Sequence, residues 1–492
     1  MKSPRTAPNS QMSGVATDIP ERLDRLPWSR WHWRVVIALG VAWVLDGLEV
    51  TLVGSIGAVL ERADTLALSA AQVGWSGSLY VGGAVLGALW FGRLTDRIGR
   101  KRLFLVTLAV YAVATLSTAF SLDFAFFGLC RFATGVGIGG EYAAINSAID
   151  ELIPARLRGR VNLAINGSFW FGAALGAAVS LVLLDPRVLG PVWGWRAGFA
   201  LGALLAVAIV LVRRHVPESP RWLIAHGRPA EAERIVAAVE AEVVARHGKL
   251  APVTGRLRFD PRANPTLRRM LQVLLQRYRK RSAVALALMV SQAFFYNAIF
   301  FTYALVLTRF YGVDASRVAL YIFPFALGNV LGPLLLGPLF DRVGRRRMIS
   351  LTYVLSGIGL ALTGAAFMAD LLDARGQALC WSAVFFFASA AASSAYLTIS
   401  EVFPLEMRGL SISIFYALGT GAGGFVAPVL FGWLVGTGSR AAVTAGYAFG
   451  ALLVIAAGVL ALRWGVDAER RPLEQIAPPL NAFDDDDAVD AR

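Results

Sequence analysis

In the stretch LDGLEVTLVG, residues 45–54, Asp46 and Glu49 stand three positions apart inside an otherwise apolar run. On a helix that spacing puts both carboxylates on one face. Residues 124–149 form another apolar run, which carries Arg131 and Glu141, about 15 Å apart along a helix axis at 1.5 Å per residue. Ionisable groups in such surroundings are costly and by default point to function. A carboxylate that gains and loses an arginine partner can take up and release a proton. All four histidines, His32, His215, His226 and His247, fall in polar stretches or at helix ends, so a proton crossing the apolar layer must ride on a carboxylate. A proton moving inward down a membrane potential gains about 2.3 kcal/mol per 100 mV. The plainer reading of Asp46 and Glu49 is a wet pore lining that never titrates.

Something must hold these charges in place, and the composition says what. Of 492 residues, 56% are hydrophobic and 16% charged, with a mean hydropathy of +0.58. Soluble domains carry about 25% charged residues. A helix spanning a bilayer needs roughly 20 mostly apolar residues, and the chain offers such runs at 34–60, 71–94, 103–122, 124–149, 161–184, 196–213, 282–309, 316–340, 347–368, 378–403, 409–436 and 442–463. The expected fold is therefore an all-α membrane protein of twelve spans. The polar tail 1–33 lacks an apolar core with a cleavage site, so the first span is expected to stay in the protein. Residues 34–213 and 282–463 each hold six spans. Between them, 214–281 is a polar loop whose segment HGRPAEAERIVAAVEAEVVARHGK has helical periodicity. A tail, 464–492, ends in an acidic run.

The net charge of +14 invites a nucleic-acid reading, but its placement does not. Most Lys and Arg fall in the two tails and in the loops joining even to odd spans, which puts both termini in the cytoplasm. Cys130 and Cys380 each lie within an apolar run, giving neither a disulfide framework nor a metal site. GVGIGG at 135–140 matches a dinucleotide fingerprint by letter only, because no strand precedes it. Packing of the first span on the fourth is its expected role. No P-loop occurs, and no cofactor is expected.

Two charged phrases interrupt the apolar pattern: GRLTDRIGRKR at 92–102 and GPLFDRVGRRR at 337–347. ELIPARLRG at 151–159 is likewise echoed by EVFPLEMRG at 401–409. Each half is thus a copy of one six-helix unit. A positive-inside anchor alone would require neither the aspartates nor the matched glycines.

The doubled loop resembles the signature loop of the major facilitator superfamily. RFATGVGIGGEYAAINSAIDELIPARLRGR at 131–160, PESPRWL at 217–223 and SEVFPLEMRG at 400–409 resemble its sugar-porter and metabolite–proton symporter branches. The resemblance spans roughly 30–465 and implies two pseudo-symmetric halves around a central cavity that opens to either side in turn. It also implies a cytoplasmic gate built from Asp96, Arg97, Arg100, Glu151 and Arg158, and from Asp341, Arg342, Arg345, Glu401 and Arg408. Such bridges are expected to be partly solvated, each worth about 0–1 kcal/mol.

In sugar porters an acid of the first span pairs with an arginine of the fourth. Arg131 fits that place, and Asp46 or Glu49 could be the acid. DGLEVTLVG is also similar to the DGFD-x4-G phrase of aromatic-acid symporters, with Glu49 in place of the second Asp. At the hexose-binding positions, Gln292 and Asn297 keep their spacing but Phe294 and Phe295 replace Ser and Gly. Asn166 stands for Gln, and Tyr396 for Trp. This set is short of hydrogen-bond partners and rich in rings. The resemblance thus implies proton-coupled uptake of a small organic metabolite, an organic or aromatic acid rather than a sugar, with Arg131 as a counter-charge. Interhelical packing is the plainer role for Gln292 and Asn297. Facilitated sugar movement, export by exchange and a transporter-like nutrient receptor remain as rivals. The expected partners are the substrate, protons and lipid, with a single chain as working unit, in the cytoplasmic membrane of a bacterium.

Overall fold

The computed structural model describes residues 15–185, 187–213, 217–253, 257–259, 266–300, 302–313, 318 and 320–480. The first fourteen residues, His215 and the acidic run after 480 lie outside that set. Helices occupy every apolar run. They are α2 (Arg30–Leu60), α3 (Ala70–Ile98), α4 (Arg100–Thr118), α5 (Phe124–Leu152), α6 (Arg158–Leu183) and α7 (Gly190–Arg213) in the first half. The second half has α11 (Arg279–Phe300), α12 (Tyr303–Tyr311), α13 (Ile322–Arg342), α14 (Arg345–Met368), α15 (Ala374–Val402), α16 (Arg408–Gly419), α17 (Phe425–Gly436) and α18 (Arg440–Trp464). Among the described residues nine helical stretches are long and apolar enough to cross a membrane. Leu122, Trp90, Leu371 and many other large apolar side chains are exposed, as a lipid-facing surface requires.

Two runs are less regular than their composition suggests. In the run 282–309, α11 ends at Phe300 and α12 begins at Tyr303. In the run 409–436 a wide turn, Thr420–Gly424, separates α16 from α17. There a Cβ at Gly423 would stand 2.4 Å from the Val290 carbonyl oxygen, so the backbones touch.

The same kind of close approach recurs at matching places before and after the central loop. A Cβ on Gly83 or Gly87 of α3 would lie 2.1 and 2.2 Å from the carbonyls of Phe132 and Val136 in α5. In the second half Gly328 and Gly332 of α13 meet Ser382 and Phe386 of α15 at 2.3 and 1.9 Å. The glycines of GVGIGG answer from the other side: Gly139 faces Ala84 of α3, and Gly137 faces Thr107 of α4. They serve helix packing as expected, but against the second and third spans. The first span, α2, packs instead on α6, with Gly47 against Phe169 and Gly172 against Val44.

Around this bundle sit short elements from the tails and central loop. They are α1 (Ile19–Asp24), α8 (Pro220–Ala225), α9 (Pro229–His247), α10 (Leu267–Gln272) and α19 (Leu473–Ile476). Among the described residues the one departure from an all-α chain is a three-residue antiparallel pair, β1 (Val15–Thr17) with β2 (Leu257–Phe259).

Candidate functional site

The sequence left open which carboxylate Arg131 would meet, and the register of α5 against α2 decides it. Arg131 Nη1 donates to Glu49 Oε1, and both side chains are almost wholly buried. The guanidinium lies 4.6 Å from the Tyr80 ring centroid and 5.6 Å from that of Phe199, a cation held between aromatic faces. Asp46, one turn earlier on α2, accepts hydrogen bonds from the hydroxyls of Tyr80 (3.1 Å) and Tyr142 (2.8 Å). Tyr80 therefore touches both acid centres, through its hydroxyl at Asp46 and its ring face at Arg131. Glu141 is also buried on α5, ten residues after Arg131.

Asp46 faces a cluster of rings where the halves meet. Tyr142 of α5 stacks on Tyr416 of α16 at 4.5 Å and on Tyr396 of α15 at 6.0 Å. Trp43, three residues before Asp46, meets Tyr142 edge-on at 4.8 Å and Tyr396 at 6.1 Å. A second cluster, Tyr296, Phe300 and Phe325 of the second half, is met by Trp170 of α6 at 5.8, 5.4 and 5.3 Å.

The remaining expected ligand positions are engaged elsewhere. The Asn166 amide donates to Asn162 Oδ1 at 2.9 Å and to Asn146 Oδ1 at 3.2 Å, forming an asparagine cluster inside the first half. Asn297 donates back to the Ala293 carbonyl at 2.6 Å, and Gln292 points its amide at Met289 Sδ, 3.7 Å away. Tyr296 makes the bond between helices there, donating to Asn329 Oδ1 at 2.8 Å. The structure thus brings Asp46, Glu49, Arg131 and Tyr396 together, and leaves Asn166, Gln292 and Asn297 in local bonds.

At one end of the bundle the two charged loops form a cross-linked latch. The Asp96 carboxylate at the end of α3 accepts the backbone N–H groups of Gly409 (3.2 Å) and Leu410 (3.0 Å), which begin α16. Its counterpart Asp341, ending α13, accepts Gly159 (3.0 Å) and Arg160 (2.9 Å), which begin α6. Free N–H groups and the helix dipole make such N-termini anion sites. Each aspartate thus ties its own half to the opposite one. Glu151 receives Arg100 from its own half at 2.8 Å and Arg408 from the other at 3.3 Å. Glu401 likewise receives Arg345 at 2.9 Å and Arg158 at 3.5 Å.

Two expectations about this latch change. Its charged side chains are buried, at 0–7% exposure, and are not partly solvated. Its strength therefore depends on geometry, since removing one member of a buried pair costs about 3–5 kcal/mol. Arg97 and Arg342 stand outside it, exposed. Each follows its aspartate by one residue, about 100° around the helix, and so points away from the seam.

The tails and central loop close over the same end. Glu218 accepts the N–H groups of Arg100 (3.0 Å) and Lys101 (3.2 Å) at the start of α4, and Glu469 accepts Arg345 N–H (3.2 Å) at the start of α14. Asp24 of α1 pairs with Arg221 at 3.0 Å and Arg158 at 3.7 Å, and Arg221 reaches Glu474 at 3.1 Å.

The sequence profile described as "Sugar (and other) transporter" matches residues 29–477. The chain belongs to this family of the major facilitator superfamily. It is a multi-pass membrane transporter and not an enzyme. It is 28% identical over 415 residues to the niacin transporter of Acinetobacter baylyi, covering 84% of this chain and 89% of that one. Similarity to the gallate transporter of Pseudomonas putida is 27% over 428 residues, 85% of this chain and 88% of the other. The 4-hydroxybenzoate transporter of Pseudomonas aeruginosa is 26% identical over 429 residues, with 85% and 89% covered. Among solved structures, the proton:xylose symporter bound to 6-bromo-6-deoxy-D-glucose superposes with TM-score 0.74 at 19% identity, over 91% of this chain and 98% of the symporter. Against a partially occluded inward-open xylose transporter from E. coli the TM-score is 0.62.

Sequence reasoning about this transporter missed Trp43, Tyr80, Tyr142 and Tyr416. A ring in an apolar helix looks like packing. The available signal was position: Trp43 is one turn from Asp46, and Tyr142 follows Glu141.

Proposed function

We propose that this transporter imports a small aromatic carboxylate together with protons across the cytoplasmic membrane of a bacterium. The observation that carries this reading is Asp46, held by two phenols against rings from both halves and linked through Tyr80 to the Glu49–Arg131 pair. A charged Asp46 repels a ligand carboxylate: two unit charges 4 Å apart differ by about 4 kcal/mol at an effective dielectric of 20. A proton on Asp46 removes that repulsion, so proton and anion enter together. A proton on Glu49 releases Arg131 to bind the ligand carboxylate in two-pronged fashion. Glu141, between Arg131 and the latch along α5, is assigned to the exit route of the proton. Tyr396 and its neighbouring rings stack on the ligand ring. Asn166, Gln292 and Asn297 are assigned to ligand contacts once the halves part.

The names of the relatives support the substrate class, because niacin, gallate and 4-hydroxybenzoate are all aromatic carboxylic acids. Likeness to a xylose symporter supports the fold, and the local bonds of the three amides weigh against sugar. In this reading α3, α5 and α7, of 29, 29 and 24 residues, complete twelve spans with the nine apolar ones. The latch end is cytoplasmic, both termini lie there, and one chain is the working unit. The ion pairs close the inner gate and part in the inward-facing state.

The test is substrate-evoked alkalinisation outside vesicles holding the pure protein, with benzoate, nicotinate, succinate and xylose compared. Aromatic acids alone should give a signal, and Asp46→Asn should abolish it while leaving exchange. A signal from xylose, or accumulation without proton movement, would overturn the reading.

A further inference from the structure

We propose that Leu267–Arg277 is a helix lying in the membrane plane that binds anionic phospholipid on the latch face. Leu267, Leu271 and Leu275 recur every fourth residue, one stripe of a helix, and are 40%, 37% and 72% exposed. The neighbouring stripe, Met270, Leu274 and Tyr278, three residues on from each leucine, is buried in the core of the second half, and Tyr278 meets Phe403 edge-on at 6.1 Å. The segment is thus docked along one stripe with the leucines exposed beside it, and a shallow groove runs where they meet the polar stripe of Arg268, Gln272 and Gln276.

The segment does not run straight into α11. Ser282 Oγ donates to the Leu274 carbonyl at 2.8 Å. Eight residues of straight α-helix rise about 12 Å, which forbids that bond. A wide turn at Val273–Arg277 and the non-helical Tyr278 bend the chain, so the leucine stripe leaves the line of the spanning helix.

Charge identifies the occupant. Between Thr266 and Arg281 there is no acidic residue. Arg268, Arg269, Arg277, Arg279 and Lys280 are exposed, and none joins an ion pair among the described residues. Arg22, Arg25 and Arg34 near the N-terminus, by contrast, all have glutamate partners. Exposed cations beside an apolar stripe, on a segment that ends two residues before the span Arg279–Phe300 and in that span's first turn, fit an anionic lipid surface. The leucines enter the acyl layer and the cations hold headgroup phosphates.

The experiment uses the full chain, with Cys130 and Cys380 replaced by serine, in nanodiscs of phosphatidylcholine with or without phosphatidylglycerol. Single spin labels at 267, 271 and 275, and at 268, 272 and 276, report access to lipid-borne oxygen and to a water-soluble nickel complex. The first set should favour oxygen and the second nickel. Removing four cations (Arg268→Gln, Arg269→Gln, Arg279→Gln, Lys280→Gln) should cut retained phosphatidylglycerol severalfold, with transport confirming the fold. Equal nickel access at all six sites overturns the proposal. So does protection from both reagents, which would indicate a second protein copy, and so does undiminished lipid retention in the variant.

Discussion

At the scale of single residues, Tyr80 is the side chain through which the two acid centres feel each other. Its hydroxyl holds Asp46 and its ring carries the Arg131 cation. Tyr80→Phe keeps the ring and deletes the bond, a change worth about 0.5–1.5 kcal/mol. Ligand exchange should survive in this variant while the proton-driven accumulation ratio falls severalfold; unchanged accumulation in vesicles would remove Tyr80 from the coupling. Glu49→Gln is harsher. It strands Arg131 as a buried, unpaired charge, so a loss of about 3–5 kcal/mol is expected. Adding Arg131→Met should restore much of the thermal stability without restoring uptake, which separates the fold from the chemistry. The acids and Arg131 were legible because a charge in an apolar run announces itself. Which acid meets Arg131 was not, because Asp46 and Glu49 share a face and only the approach of α5 distinguishes them.

At the scale of elements, the latch is two helix starts held by two aspartates from opposite halves. Replacing Asp96 or Asp341 with Asn removes a buried charge that holds a helix start and also pairs with Arg100 (3.3 Å) or Arg345 (2.9 Å), a change of about 3–5 kcal/mol. Since 1.4 kcal/mol is tenfold in a population, each variant should raise the inward-open fraction by about that factor or more. Arg97 and Arg342 are exposed beside the latch, so spin labels there report the opening without disturbing it. The distance distribution between them should gain a longer component in Asp341→Asn; an unchanged distribution would mean that the aspartates do not hold the gate. The doubled phrases made the latch residues readable as a set. Their burial was not readable, because it comes from the tails and central loop folding over that end.

At the scale of the whole molecule, the duplication could be read from the repeated phrases, and the matched glycine contacts of α3 on α5 and α13 on α15 are its physical content. What could not be read is how segments far apart in sequence join across the latch. Arg22 binds Glu240 at 2.6 Å and Glu233 at 2.7 Å, Arg25 also binds Glu240, and Asp24 links α1 to Arg221 and Arg158. Residues 17–25 thus strap the central loop to the gate. Burial opposes the charge on Glu240, yet the Arg22 and Arg25 guanidiniums hold its carboxyl below the ordinary 4.5. A depressed carboxyl contributes stability that is complete above its unfolded value and lost as the pH falls through the folded one. The protection of the residue 17–25 amides, taken relative to the intrinsic exchange rate at each pH, should therefore be high at pH 7 and fall as the pH drops below about 4.5. Glu240→Gln should show the reduced protection already at pH 7, together with a more open latch. Salt screens these partly buried pairs in part, so the difference between Glu240→Gln and the unaltered chain should shrink in high salt. If the strap stays protected at low pH and in Glu240→Gln alike, then the buried Asp24–Arg221 contact carries it alone, and Asp24→Asn should release it.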